Sequence, residues 1–409
     1  MKRFNRFFKA TLLAFLCSLT TSVNAELPAD SLLLAKMDSV EISLLTCGPG
    51  QEAYELYGHT ALRIEGYDFP FTDSRGREHI YNDVAVNWGL FSFKAKFFYL
   101  KFIFGLTDYT VGMAPMFAFL DEYEEEGRWV RQQKLNLQPD EKLRIIDAVI
   151  VNNLPENRFY RYNYFYDNCT TRADRMIANH LNNKPSAHLD SLLPRTYREN
   201  IHAYNTKERW ARMGNDLLLG LKADRPISEE QSLFLPINLM NYYEGAQIQE
   251  GDSTRKLVSE SELILADDGR HSFATYNTPL RVFGALFILL LIITGNELKY
   301  KRNLWLLDAV LLSATAFGGL ILTAMLFSQH PTVRLNLQIL LFNPITLIGL
   351  WPAVGNARKN HSHWLWKCYA VCILLFFLGN FFQDYAEATN FLALSLLIRC
   401  CRRIFNKAS

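Results

Sequence analysis

The sequence predicts an exported α+β domain followed by an all-α membrane bundle, and three observations carry that reading. A basic, then apolar, N-terminal segment has the form of an export signal. Residues 26–275 are mixed and polar, whereas residues 279–405 are dominated by Leu, Ile, Phe, Val and Ala. The mean hydropathy of −0.02 over the chain therefore averages two unlike halves. The 43 basic residues nearly balance 41 acidic ones, and there is no basic low-complexity tail. That balance weighs against nucleic acid as a partner.

In residues 1–25, Lys2, Arg3, Arg6 and Lys9 precede an apolar run over residues 10–19, and Val23-Asn24-Ala25 offers cleavage before Glu26. Phe15 and Leu16 are too bulky before Cys17 for a lipoprotein signal. An uncleaved anchor is the alternative, and either form exports the domain that begins at Glu26. Residues 40–46 and 59–64 read as strands separated by a Gly48-Pro49-Gly50 loop, and residues 79–88 as a third strand. Pro139-Asp140-Glu141 opens a helix over residues 138–152. The aromatic run 158–166 suits a strand or a short helix, and Ala173, Ile177 and Leu181 recur at helical spacing. Residues 91–104 carry six Phe and Tyr99, with Lys94, Lys96 and Lys101 between them. This mixture suits a bilayer interface or a buried core with snorkelling lysines.

Residues 279–294, 304–327, 337–354 and 364–382 read as membrane spans. A fifth, residues 386–398, is short and contains Glu387. With the preceding domain outside, nine basic residues fall in cytoplasmic positions: Lys299, Lys301, Arg302, Arg358, Lys359, Arg399, Arg402, Arg403 and Lys407. External loops hold only Arg334. The bias predicts a multi-pass protein of the bacterial inner membrane with a periplasmic N-terminal domain and a cytoplasmic C-terminus. Asp308, a turn inside the second span, is expected to snorkel to the interface. Cys368, Cys372, Cys400 and Cys401 read as small apolar fillers or reduced thiols.

The exported half has no Walker loop, GxGxxG, HExxH or CxxC motif, and its six His and two Cys match no metal-ligand spacing; no metal or cofactor is expected. Two exported cysteines, Cys47 and Cys169, suit a disulfide. The string Tyr166-Asp167-Asn168-Cys169-Thr170-Thr171-Arg172, however, puts Cys169 where a polar cap opens a helix. A helix N-terminus stabilises a thiolate. Gly58-His59-Thr60-Ala61 offers a base at a strand start, although a lone His is more often structural. Cys47 reads as a buried small residue, with a reversible bond to Cys169 as the alternative.

The strings LLTCGPGQEAYELYGHTALRI, NWGLFSF and FYDNCTTR resemble the exported domain of the Lnb-type lipoprotein N-acyltransferase family. The resemblance spans residues 38–260 and implies a circularly permuted papain-like fold, similar to the lecithin–retinol acyltransferase group, with a helical bundle after it. It implies His59 as base and Cys169 as nucleophile. Asn87 is the candidate third group, with Asp83 next. It also implies a phospholipid acyl donor and diacylated lipoproteins as partners at a membrane. Arg172 is placed to bind a lipid phosphate or to pair with Asp167, and His330 and Arg334, in an external loop, are candidates for holding a headgroup. A membrane-anchored cysteine peptidase or amidase and a non-enzymatic envelope scaffold are the competing classes.

Overall fold

The computed structural model describes residues 29–52, 54–72, 75–92, 96–187, 196–269 and 276–405. The expected signal segment lies outside them. A seven-stranded, wholly antiparallel sheet organises the N-terminal domain. Its strands are β1 (Glu41–Cys47), β2 (His59–Thr72), β3 (Glu78–Leu90), β4 (Asp108–Pro115), β5 (Val130–Leu135), β6 (Phe159–Arg161) and β9 (Val258–Leu265), in the order β6-β4-β3-β2-β1-β5-β9. A separate hairpin pairs β7 (Gln247–Glu250) with β8 (Ser253–Lys256). β1 lies inside the sheet between β2 and β5, and every residue after Glu41 is buried, the pattern of a strand covered on both faces.

The helices of this domain are α1 (Ala29–Lys36), α2 (Phe98–Ile103), α3 (Met116–Glu126), α4 (Pro139–Asn153), α5 (Cys169–Ala178), α6 (Tyr197–Tyr204), α7 (Arg209–Leu218), α8 (Glu229–Ser232) and α9 (Pro236–Gly245). Strand alternation divides the core. Leu44, Leu62, Ile64, Val84, Val86 and Trp88 pack with α4, α5 and α9, whereas Leu45, Ala61 and Ala85 face Phe119 and Tyr123 of α3. Trp88 is almost fully buried, and its indole N–H donates to Asn152 Oδ1 at 2.9 Å.

Beyond this domain come five helices: α10 (Pro279–Lys299), α11 (Trp305–Met325), α12 (Ile345–Arg358), α13 (Trp364–Gly379) and α14 (Thr389–Ile404). Three segments, Pro279–Lys299, Trp305–Met325 and Leu337–Arg358, are long and apolar enough to cross a membrane; α13 is apolar but shorter. Gly319 lets the Phe342–Pro344 turn approach α11, since a Cβ there would lie 2.6 Å from the Phe342 carbonyl oxygen.

Asp308 does not snorkel. It is fully buried, accepting from Arg399 Nε at 2.7 Å and Arg403 Nε at 2.5 Å, while Arg399 also reaches Glu297 at 2.5 Å. Thr294 and Asn303 complete the shell. The cluster joins α10, α11 and α14, so Arg399 and Arg403 are internal counter-ions and not free cytoplasmic charges. An unpaired charge there would be far costlier than this paired set.

The two halves are joined by backbone and side chain. The Gly220 and Leu221 amides donate to Thr332 and Leu335 carbonyls, both at 2.8 Å. Asn336 and Gln338 side chains donate to the Leu217 and Asp216 carbonyls at 2.8 Å, and Gln383 to Leu219 at 3.0 Å. Arg209 forms a two-pronged pair with Glu387. Leu322, Met325 and Val333 share one apolar cluster with Leu56, Phe165, Tyr197 and Phe234. The N-terminal domain is thus packed onto the loop end of the bundle.

Candidate functional site

His59 is the first residue of β2 and stands opposite Cys47 of β1. Gly58 before it adopts φ +78°, and a Cβ at that position would lie 2.4 Å from the Cys47 carbonyl oxygen. The turn into β2 therefore requires glycine for both conformation and space. Cys169 is the first residue of α5. Asn168 caps that helix, its Oδ1 accepting from the Thr171 amide at 2.9 Å while the Asn168 amide donates to Thr171 Oγ1 at 2.9 Å. The Asn168 side-chain amide also donates to the Tyr164 and Phe234 carbonyls, which fixes the cap within the core. Thr60 and Thr170, the residues after His59 and Cys169, meet hydroxyl to hydroxyl at 3.0 Å and clamp strand to helix.

The result brings three of the expected residues together. His59 Nε2 donates to Asn87 Oδ1 at 3.1 Å, leaving Nδ1 for the Cys169 thiol. Burial acts to raise the thiol pKa, but the His59 charge and hydrogen bond, the Thr60 amide and the Thr170 hydroxyl outweigh it, and the thiol is lowered to about 7. For His59, burial opposes the charged form, yet the Cys169 thiolate and Asn87 raise its pKa. The two groups stabilise each other as thiolate and imidazolium. Asp83 is elsewhere, held in a two-pronged pair by Arg63 at 2.7 and 2.8 Å.

Cys47 has no such activation. It is buried on the α3 face of the sheet, and burial pushes its thiol up to about 12 despite a hydrogen bond with Tyr123. Both exported cysteines are free.

A cavity of about 410 Å³ opens above the thiol, within the roughly 300–1,000 Å³ range of small-molecule pockets. Its walls are aromatic, with Tyr54, Phe91, Tyr109, Tyr162 and Tyr164 among them, and Glu122 and Arg128 supply charge. Arg128 is buried, donating to the Gly48 carbonyl at 2.9 Å and Glu126 at 2.7 Å, over the Tyr123 ring. Tyr57 accepts from both Asn205 at 2.7 Å and Asn215 at 2.9 Å. Its ring packs edge-on to Tyr164 at 5.5 Å, and the two buried hydroxyls lie close enough to interact. Neither Arg128 nor Tyr164 stands in a motif, so the sequence does not mark them as site residues. The only signal is the aromatic run leading into Cys169.

Arg172, His330 and Arg334 do not line this cavity. Arg172 grips Asp167 through Nε and a terminal nitrogen at 2.9 and 2.8 Å and stacks 3.5 Å from the Tyr160 ring. It braces the loop before Cys169. Arg334 donates to the Ser328 carbonyl at 2.7 Å, and His330 packs against Gly105 and Phe102. Among the described residues no cluster of His, Cys, Asp and Glu is arranged to hold a metal ion.

Fold and site together define a membrane-anchored α+β domain with a Cys-His-Asn constellation under an aromatic pocket. Residues 33–203 match a model of the Lnb N-terminal periplasmic domain, and residues 270–409 match a model of the Lnb transmembrane domain. The chain belongs to the Lnb family, as a periplasmic α+β domain followed by a helical transmembrane region. No curated protein and no solved structure matches it.

Proposed function

We propose that this protein is an N-acyltransferase that moves a fatty acyl chain from phospholipid to the α-amine of a diacylglyceryl-cysteine at a lipoprotein N-terminus. The observation that carries the proposal is the Cys169 thiol, lowered to about 7 beside an Asn87-oriented His59, in an aromatic cavity of a domain packed onto a membrane bundle. Cys169 thiolate attacks the ester carbonyl. The C–O bond breaks, the lysolipid leaves with the His59 proton, and a thioester remains. The incoming amine then attacks the thioester, His59 takes its proton, and the C–S bond breaks to give the amide and free thiolate. The Cys169 amide at the start of α5 and the Tyr164 hydroxyl would hold the oxyanion. The papain-like relationship is supported by the Cys-His-Asn set and helix-start thiol. Five crossings would place the C-terminus in the cytoplasm of an inner-membrane protein.

Purified protein mixed with phospholipid alone should accumulate a fatty-acyl adduct on the peptide bearing Cys169. The adduct should be labile to neutral hydroxylamine and should discharge when a diacylated lipopeptide is added, which becomes triacylated. Peptide-bond cleavage without an adduct would establish the peptidase reading instead, and neither result would leave the scaffold reading.

A further inference from the structure

The segment 96–106, containing α2, presents apolar side chains to the outside of the molecule. Phe97 is 65% and Leu100 55% exposed, and Phe102 and Leu106 are exposed too. Lys96 and Lys101 are exposed among them, Lys96 lying 5.2 Å from the centre of the Phe97 ring. A soluble surface has little reason to gather such residues in one short segment.

The placement of this segment supplies the occupant. The Phe104 carbonyl accepts from the Gln329 amide at 2.9 Å, and a Cβ at Gly105 would touch the His330 ring at 3.1 Å. Gln329 and His330 belong to the loop between Trp305–Met325 and Leu337–Arg358, two of the segments able to cross a membrane. The exposed residues are thereby held next to the loop that joins these two segments, and Phe327, in the same loop, is exposed too. Earlier in the chain, Leu90 and Phe91 line the cavity, with Phe91 packed on Tyr54 at 5.4 Å and Tyr109 at 4.9 Å.

We propose that residues 96–106 lie in the headgroup layer of the periplasmic leaflet and form the lip across which a phospholipid acyl chain reaches the Cys169 cavity. Phe97, Leu100, Phe102 and Leu106 enter the acyl boundary, while Lys96 and Lys101 meet lipid phosphates. Aromatic and aliphatic side chains interleaved with lysine are what that layer accommodates. The membrane contact stands on placement alone; the delivery role rests on the thioester chemistry proposed above.

The test uses the full-length protein in vesicles of phosphatidylethanolamine and phosphatidylglycerol. Benzoylphenylalanine at position 100 or 102 should give a light-dependent adduct of phospholipid mass. The same label at Ile80, exposed near the far end of β3 from Asn87, should give none. Absence of the lipid adduct at both lip positions, or equal labelling at Ile80, would overturn the membrane contact. In a second arm, L100D/F102D should lose at least about tenfold in Cys169 acylation from vesicle phospholipid, yet keep acylation from a water-soluble short-chain ester. Equal loss on both donors, or loss on neither, would overturn the delivery role. Lipid adducts in a protein that is acylated by neither donor would leave the membrane contact standing while the thioester reading fails.

Discussion

At Cys169 the opposing effects of burial and charge can be separated experimentally. The thiolate is the nucleophile, so alkylation by iodoacetamide should rise with pH through about 7 and then level off. Cys47, pushed to about 12 and buried, should stay unlabelled until the protein unfolds. Removing the imidazole leaves burial unopposed by its charge, so His59→Ala should move the Cys169 midpoint upward. Asn87→Ala should move it less in the same direction, because losing the bond to Asn87 lowers the His59 pKa and weakens the imidazolium partner. Peptide mapping of the alkylated protein reads each site, and an unmoved midpoint in His59→Ala would show that the thiolate is held by other groups. Tyr164 is tested by kinetics. Its hydroxyl is buried against that of Tyr57, whose oxygen already accepts from Asn205 and Asn215. As an oxyanion donor, Tyr164 should on conversion to Phe lower kcat about a hundredfold to a thousandfold with little change in KM. Unchanged kcat would assign it to packing.

The elements set those residues in place through a few tight approaches. At Gly58 the left-handed conformation costs a residue with a side chain about 1–2 kcal/mol, before any clash. Gly58→Ala would also bring its Cβ within 2.4 Å of the Cys47 carbonyl oxygen, forcing β1 and β2 apart at the Cys47–His59 pair. Thermal melting should show the loss of stability, and slowed alkylation of Cys169 should show the displaced His59. Full reactivity in a destabilised variant would mean that the Thr60–Thr170 clamp alone positions the pair. How much of this is legible in the sequence depends on how local each signal is. β1, β3, α4 and α5 announce themselves through apolar spacing, turn residues and a polar cap. β5 does not, because Gln132 and Gln133 are buried only by virtue of distant partners: Arg63 for the first, the Met240 carbonyl and Glu244 for the second. The run 158–166 suits strand and helix alike by its residues, and it supplies a three-residue edge strand whose pairing depends on β4. His59 and Cys169 stand in short strings with recognisable chemistry, and the Arg172–Asp167 pair is legible five residues apart, but the stacking of Arg172 on Tyr160 emerges only in the fold.

Across the whole molecule the charges that signal orientation have a second role. Arg399 and Arg403 neutralise Asp308 and Glu297 inside the bundle, so the orientation bias rests more heavily on Lys299, Lys301, Arg302, Arg358 and Lys359. Asp308 lies 91 residues from Arg399 in the chain, which is why its pairing cannot be read locally. Removing one member of such a buried set leaves the others uncompensated, at a cost of about 3–5 kcal/mol in comparable buried pairs. Asp308→Asn should therefore lower the yield of folded protein in membranes and the melting temperature in detergent. The cluster sits at the opposite end of α11 from the His330 loop, so the surviving folded fraction should alkylate Cys169 with its ordinary pH midpoint. Arg403→Lys, which keeps the charge but loses the fork geometry, should fall between the two. An Asp308→Asn protein as stable as the parent would mean that the bundle is held by apolar packing alone. Loss of thiol reactivity in the folded fraction would instead mean that the cluster reaches the cavity through the helices and the hydrogen bonds of Gln338 and Gln383 to the periplasmic domain.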